Sequence, residues 1–374
     1  MLAEDASFSI GVFVLLMLSV GLSLAQIATV VAGFLICSAV FQIPAGIFAD
    51  RYGNKTSILI GAVIMTAGFG VFAFANSFLA FLFGYSLMGA GQAMKKGADV
   101  AFIYNELKRC GKPTSFKKIY GKLEFYLNLF WVVASISGGF LYVWSPRLPF
   151  LLEFGFSILS IPLIMSLSEV SIPKVSKSVG KHIKESMVYS FKTPGFSKVF
   201  VFSALIGSLA VVTFQYLQPF YVELGIKEQY FGAIAAATFV FRALGALYSD
   251  QVGKWFSIDK YLVLHSLVFT LFLLFFGMSQ NWVLILGFVA IFYFLRGLYN
   301  PTITNFINNR VEDAKRSTLL SVNSQFLTVF SSLIMLVTGL VASQFSLQLV
   351  FFVVACLSNV FLILYVLSLR KVEA

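Results

Sequence analysis

Twelve times along this 374-residue chain an apolar stretch approaches the length of a membrane crossing. A helix rises about 1.5 Å per residue, so roughly 30 Å of hydrocarbon takes about 20 apolar residues. The stretches cover residues 7–20, 26–48, 57–75, 78–103, 120–143, 147–167, 196–221, 229–249, 260–278, 281–304, 317–342 and 345–368. Helices pair their own backbone groups, as hydrocarbon requires. The expected fold class is therefore an all-α integral membrane protein with 12 transmembrane helices. Only 11% of the residues are charged, against about 25% in soluble domains, which excludes a water-soluble enzyme. The first stretch is short. A start assigned too far downstream would account for that.

Several connections are brief, such as Asn76-Ser77 and Ser279-Gln280, and the longest lies between spans six and seven. Residues 168–195 carry Lys174, Lys177, Lys181, Lys184 and Lys192. They read as a cytoplasmic basic linker between an N-terminal six-helix bundle (1–167) and a C-terminal one (196–374). Contact with anionic lipid is the expected role of this segment.

The formal charge of +11 becomes informative when placed on the spans. With a cytoplasmic N-terminus, the cytoplasmic loops and ends hold 21 of the 27 Lys and Arg residues. The opposite side holds two, Arg147 and Lys227. That asymmetry fits positive-inside orientation with both termini in the cytoplasm. It also argues against nucleic-acid binding, since the charges alternate with spans instead of forming one patch. The expected location is the cytoplasmic (inner) membrane of a prokaryote, with the bilayer and a small-molecule solute as partners and a single chain as the working unit.

The halves repeat. Span two ends Phe41-Gln-Ile-Pro-Ala-Gly-Ile-Phe-Ala-Asp50-Arg-Tyr-Gly53, and span eight ends Phe241-Arg-Ala-Leu-Gly-Ala-Leu-Tyr-Ser-Asp250-Gln-Val-Gly253. Asp50 and Gly53 recur as Asp250 and Gly253. Paired halves are expected of a transporter built from two bundles around a midplane site.

The loop Gly46-Ile-Phe-Ala-Asp50-Arg51-Tyr-Gly53-Asn-Lys55 resembles the G-x-L-A-D-R-x-G-R-K signature of the major facilitator superfamily. Further segments are similar to a bacterial branch of efflux and multidrug-type permeases: Lys96-Gly-Ala-Asp99 through Leu107, Arg296-Gly297 through Pro301, and Arg316 through Ser321. The resemblance implies two six-helix bundles that expose a central cavity to each side in turn. It implies a gating role for Gly46, Asp50, Arg51, Gly53, Lys55, Asp99, Asp250 and Gly253, with Asp99 as a partner for Arg51. Gly46 is expected to allow a close helix approach, and Gly53 a tight turn. Two family features are missing. Tyr85 stands where the antiporter pattern has Arg, and Ala134-Ser135 stands where it has Gly-Pro. Both weaken the case for proton-driven drug antiport.

Ionisable groups deep in a bilayer cost at least about 2.5–3.5 kcal/mol and mark candidate sites. Arg296 in span ten and Arg242 in span eight are candidates to meet an anionic substrate group or to modulate a proton site; a structural ion pair or a helix-terminus contact between spans is the plainer alternative. Glu153 in span six is the best acidic candidate for a proton site, with a pair to Arg147 as its alternative. Lys95 and Asp99, four apart, are expected on one helix face. Gln215 and Gln218 precede Pro219, where the helix is expected to open. Asn300 completes the candidate cavity.

No Walker-type phosphate loop, HExxH or CxxC occurs. No catalytic residue, metal site or cofactor is expected, and the chain is not read as an enzyme. The favoured function is secondary active transport of a small organic solute by alternating access, with efflux and proton exchange as first choices. The alternatives are uptake, by symport or uniport, of an anionic metabolite, and a membrane sensor or scaffold that moves nothing.

Overall fold

The computed structural model describes residues 8–168, 196–249, 251, 255–310 and 313–373. Among these residues the regular structure is helical throughout, with no strand. The first half contributes α1 (Phe13–Ser19), α2 (Leu24–Tyr52), α3 (Asn54–Phe74), α4 (Phe78–Lys95), α5 (Ala98–Arg109), α6 (Phe116–Trp144) and α7 (Leu148–Ser166). The second half contributes α8 (Phe196–Glu223), α9 (Phe231–Leu247), α10 (Ile258–Met278), α11 (Trp282–Arg310), α12 (Asp313–Gln344) and α13 (Leu347–Glu373).

Ten of these helices are long and apolar enough to cross a membrane. The two remaining expected spans are the first, whose helix has 7 residues, and the fourth. The fourth does not continue to residue 103 as its hydropathy suggests. It stops at Lys95, and Gly97 takes a left-handed φ of 92° before α5 begins. The Asp99 carboxylate fixes this break by accepting from the backbone N–H groups of Gly97 (3.1 Å) and Val100 (2.7 Å). Lys95 and Asp99 therefore sit on different helices and do not share a face. At the start of α2, Ser23 and Gln26 form a reciprocal capping box.

The chain forms two compact units. The first holds the described residues up to 168 together with 227–236; the second holds 196–226 and the chain from 237 onward. In the first, α2, α3 and α4 pack together and α7 lies on α3. Residues 227–236 rest on α6, where the Ser135 hydroxyl donates to the Gly232 carbonyl at 3.0 Å. In the second, α8 packs on α12 and α13, and α10 on α13. The basic linker expected at 168–195 lies, beyond residue 168, outside the described residues.

Each unit carries the same internal fastening. Thr66 of α3 shares a hydroxyl hydrogen bond with Ser157 of α7 at 2.6 Å. Thr270 of α10 does the same with Ser358 of α13 at 3.0 Å. A second correspondence fixes how helices cross. A Cβ added to Gly89 of α4 would lie 2.3 Å from the Phe34 carbonyl oxygen of α2, and one added to Gly297 of α11 would lie 2.0 Å from the Arg242 carbonyl oxygen of α9. No side chain fits at either crossing, so both glycines are needed for backbone contact. The Thr–Ser bonds carry the duplication suggested by Asp50 and Asp250 into the packing of each unit, whereas the glycine contacts fall at different places along the repeat.

Candidate functional site

The second unit gathers most of the buried polar chemistry. The α9–α11 crossing at Gly297 sets Arg242 beside the turn that carries Arg296. The Arg296 guanidinium lies 5.1 Å from the Tyr299 ring centroid, a cation–π distance. Its Nη2 donates weakly to the Gly207 carbonyl at 3.4 Å. Its Nη1 is buried and has no acceptor among the described residues. His265 of α10 packs its ring 4.9 Å from that of Tyr299. His265 Nδ1, Ser266 Oγ and Tyr293 Oη are likewise buried without a hydrogen-bond partner among the described residues. Tyr299 itself is held by a hydrogen bond to the Ser203 carbonyl. Asn323 ties α12 to the same turn of α8 through Phe200 O (3.0 Å) and Ser203 Oγ (3.3 Å).

Arg242 extends from the crossing into an exposed position, with its guanidinium 5.5 Å from the Phe239 ring. No carboxylate among the described residues forms an ion pair with either arginine. Two carboxylates of this unit are engaged elsewhere: Glu223 with Gln348 and Asp259 with Tyr365. The structural ion pair considered as an alternative for these arginines is therefore not formed within the described residues.

The remaining second-unit candidates are less closely tied to this cluster. Gln218 is buried and Gln215 half-buried on α8. The opening expected at Pro219 is not seen: α8 runs on from Phe196 to Glu223 with the proline inside it. Asn300 follows Tyr299 on α11, and its side chain lies outside the described set.

In the first unit, Glu153 is 5% exposed. Its carboxylate accepts the backbone N–H of Ser9 at 2.7 Å and the Ser9 hydroxyl at 2.8 Å. The pair with Arg147 is not formed. Arg147 instead donates to Ala73 O (2.7 Å), Ala75 O (2.9 Å) and Asn76 Oδ1 (2.5 Å), closing off the end of α3. Tyr85, standing where the resemblance implies an arginine, packs its ring 4.6 Å from that of Phe13 and 4.5 Å from that of Phe34.

The loop signature is only partly as anticipated. Gly53 has φ 100° and ψ 157°, and it ends α2 and starts α3 as expected of a turn glycine. Gly46 makes no close approach, since a Cβ there would meet nothing within 4 Å. Asp50 is exposed with no partner among the described residues. Arg51 is exposed over the ring of Tyr52, 5.4 Å away, and forms no pair with Asp99. Lys55 reaches the end of α7 and donates to Met165 O at 2.9 Å. Asp250 and Gly253 lie outside the described residues.

Sequence reasoning does not single out Tyr293, Ser266 or His265. Each lies in an apolar run. Only the packing of α10 against α11 reveals that the His265 ring meets that of Tyr299, next to Arg296. Among the described residues no group of three His, Cys, Asp or Glu side chains could hold a metal ion.

Comparison with known proteins fits this architecture. A family profile described as Major Facilitator Superfamily matches residues 3–258 and 202–374. The MFS-type transporter YxaM of Bacillus subtilis is 25% identical over 375 residues, covering 95% of this chain and 90% of that protein. The quinolone resistance protein NorA of Staphylococcus aureus is 24% identical over 301 residues, covering 77% and 74%. Among solved structures, the nucleoside transporter NupG superposes with a TM-score of 0.79 at 14% identity, covering 99% of this chain and 95% of that one. A D-xylose–proton symporter gives 0.73 at 12% identity, covering 97% and 94%.

Proposed function

Because the chain belongs to the major facilitator superfamily, we propose that it is a secondary transporter, moving a small organic solute across the cytoplasmic membrane of a prokaryote by alternating access. The observation that carries this reading is the placement of ionisable side chains on membrane-spanning helices of both units. Glu153 stands in the first, and Arg242 and Arg296 in the second, with no opposite charge paired to any of them among the described residues. Such groups are costly in hydrocarbon and in membrane proteins mark solute and ion paths. The absence of a Walker-type loop removes support for ATP-driven transport by this chain alone.

Export is the favoured direction, supported by similarity to NorA, whose name records quinolone resistance. Proton exchange is the favoured driving force, with Glu153 as the carrier. Both termini are placed in the cytoplasm on the strength of the 21-to-2 distribution of basic residues. Asp50, Arg51, Gly53, Lys55 and Asp99, with Asp250 and Gly253, are proposed to bias the rocking between the two open states.

The test is transport in proteoliposomes, with and without an imposed pH gradient. Solute exchange at equal concentrations on both sides, without a gradient, tests alternating access. Faster solute uptake into acid-loaded vesicles tests proton exchange. Solute movement indifferent to the gradient would remove the proton role but leave facilitated transport. No movement of any compound in a broad panel would favour the sensor reading.

A further inference from the structure

The α2–α4 crossing in the first unit and the α9–α11 crossing in the second use the same backbone contact. In the first, the residues at the contact are Phe34 and the pair Met88-Gly89; in the second, they are Arg242 and the pair Arg296-Gly297. Phe34 stacks on Tyr85 at 4.5 Å. The crossing is therefore built without any charge in one unit. The contact thus needs no charged residue, and the arginines at the second crossing bring a cost that apolar residues avoid. A second function must offset it.

The surroundings of Arg296 define what that function needs. Its Nη1 faces no acceptor among the described residues, and Nη2 has only a long contact to Gly207 O. A guanidinium presents parallel N–H groups that match the two oxygens of a carboxylate or a phosphate. Tyr293, 8% exposed, and His265, 4% exposed, have Oη and Nδ1 unpartnered among the described residues; Tyr293 is three positions before Arg296 on α11, and the His265 ring lies against that of Tyr299. A hydroxyl can donate to an oxyanion, and a ring nitrogen can donate or accept. The rings of Tyr299 and His265, 4.9 Å apart, add flat apolar walls. The apolar cleft of about 150 Å³ bordered by His265, Phe269 and Phe292 opens at the exposed Leu271 and Ile291. Its lining lies on α10 and α11 and shares only His265 with this site.

We propose that Arg296 and Arg242, with Tyr293 and His265, form a binding site for a small organic oxyanion, a carboxylate or phosphate attached to a planar ring. Arg296 takes the oxyanion through Nη1, and Tyr293 and His265 supply further polar contacts. Arg242, exposed at the neighbouring turn, draws the anion in by charge. The proposal names the solute class for the transport reading and rests on that reading only for the physiological role. Binding can be measured without transport, so the two can fail separately.

The experiment uses the full-length protein in detergent. Thermal shift and calorimetric titration are run with benzoate, phenyl phosphate and neutral benzamide at constant ionic strength. Benzoate, phenyl phosphate or both are expected to raise the melting temperature in a concentration-dependent way, and benzamide is not. A response to only one anion identifies the carboxylate or the phosphate as the recognised group. Arg296→Gln is expected to weaken anion binding at least about tenfold, and Arg296→Lys by less, since a point charge remains but the fork is lost. Tyr293→Phe preserves volume and is expected to weaken binding several-fold, which keeps the test intact should Arg296→Gln fail to fold. Equal responses to benzoate and benzamide, no response to either anion, or wild-type binding in the variants that fold would each overturn the proposal. Anion binding in a protein that transports nothing would leave this site standing and overturn the transport reading instead.

Discussion

The Glu153 carboxylate takes both the amide N–H and the hydroxyl of Ser9, at 2.7 and 2.8 Å, across 144 positions of sequence. One side chain of α7 thereby secures the residues leading into α1. Hydrogen bonds to a charged acceptor contribute about 1.5–3 kcal/mol each, and leaving a buried donor unpaired costs about 1–3 kcal/mol. Glu153→Ala is accordingly expected to destabilise the protein by a few kcal/mol, seen as reduced yield and a lower apparent Tm in detergent. Glu153→Gln keeps an acceptor oxygen for the Ser9 N–H and should fold. Its solute exchange without a gradient should persist, while acceleration by a proton gradient is lost. Retention of that acceleration would reduce Glu153 to an anchor for Ser9.

The two glycines of the loop signature are predicted to behave differently. Gly53 occupies φ 100°, ψ 157°, a region that L side chains rarely enter. Gly46 is helical and has open space where a Cβ would stand. Gly53→Ala should cost about 1–3 kcal/mol, while Gly46→Ala should be neutral or stabilise α2 by up to about 1 kcal/mol. Melting curves of the two purified variants decide this. Equal destabilisation would mean that Gly46 makes a close contact in another state of the transport cycle.

Arg147 stands on the sparsely charged side of the chain and bonds to three acceptors at the end of α3. Arg147→Lys keeps the topological charge but loses the planar fork that spans Ala73 O, Ala75 O and Asn76 Oδ1. The expected effect is a loss of about 1–2 kcal/mol in stability with unchanged orientation. Cysteine labelling from each side of the membrane would check orientation, and thermal melting would check stability.

The fold is legible in the sequence because its main signal is one-dimensional. Apolar length marks a span, and Asp50 and Asp250 mark the duplication. Hydropathy overextends the fourth span because Lys95, Lys96, Gly97 and Asp99 are too few to break a window, although Gly97 can adopt the φ that ends the helix. Pairings are harder to read. Arg147 is six positions from Glu153, close enough for a sequence argument to join them, yet the guanidinium points to the end of α3 and the carboxylate to Ser9. Arg296 stands out because charge is conspicuous among apolar residues. Tyr293 and His265 do not, because nothing in the order of residues reveals which faces of α10 and α11 meet.

The matched crossings allow packing and charge to be separated. Gly89→Ala would place a Cβ 2.3 Å from Phe34 O, and Gly297→Ala one 2.0 Å from Arg242 O. Both must push two backbones apart, and overpacking of this kind costs about 1–3 kcal/mol. Comparable losses of thermal stability are therefore expected. Their effects on ligand binding should differ. Gly297→Ala moves α9 and Arg242 away from the turn that carries Arg296 and should weaken benzoate or phenyl phosphate binding in the variant that remains folded. Gly89→Ala disturbs Phe34 and Tyr85 and should leave anion binding near the wild-type level. Titration of the two variants at a temperature well below both melting points provides the comparison. Equal weakening in both would show that anion binding depends on general packing and not on the charged crossing.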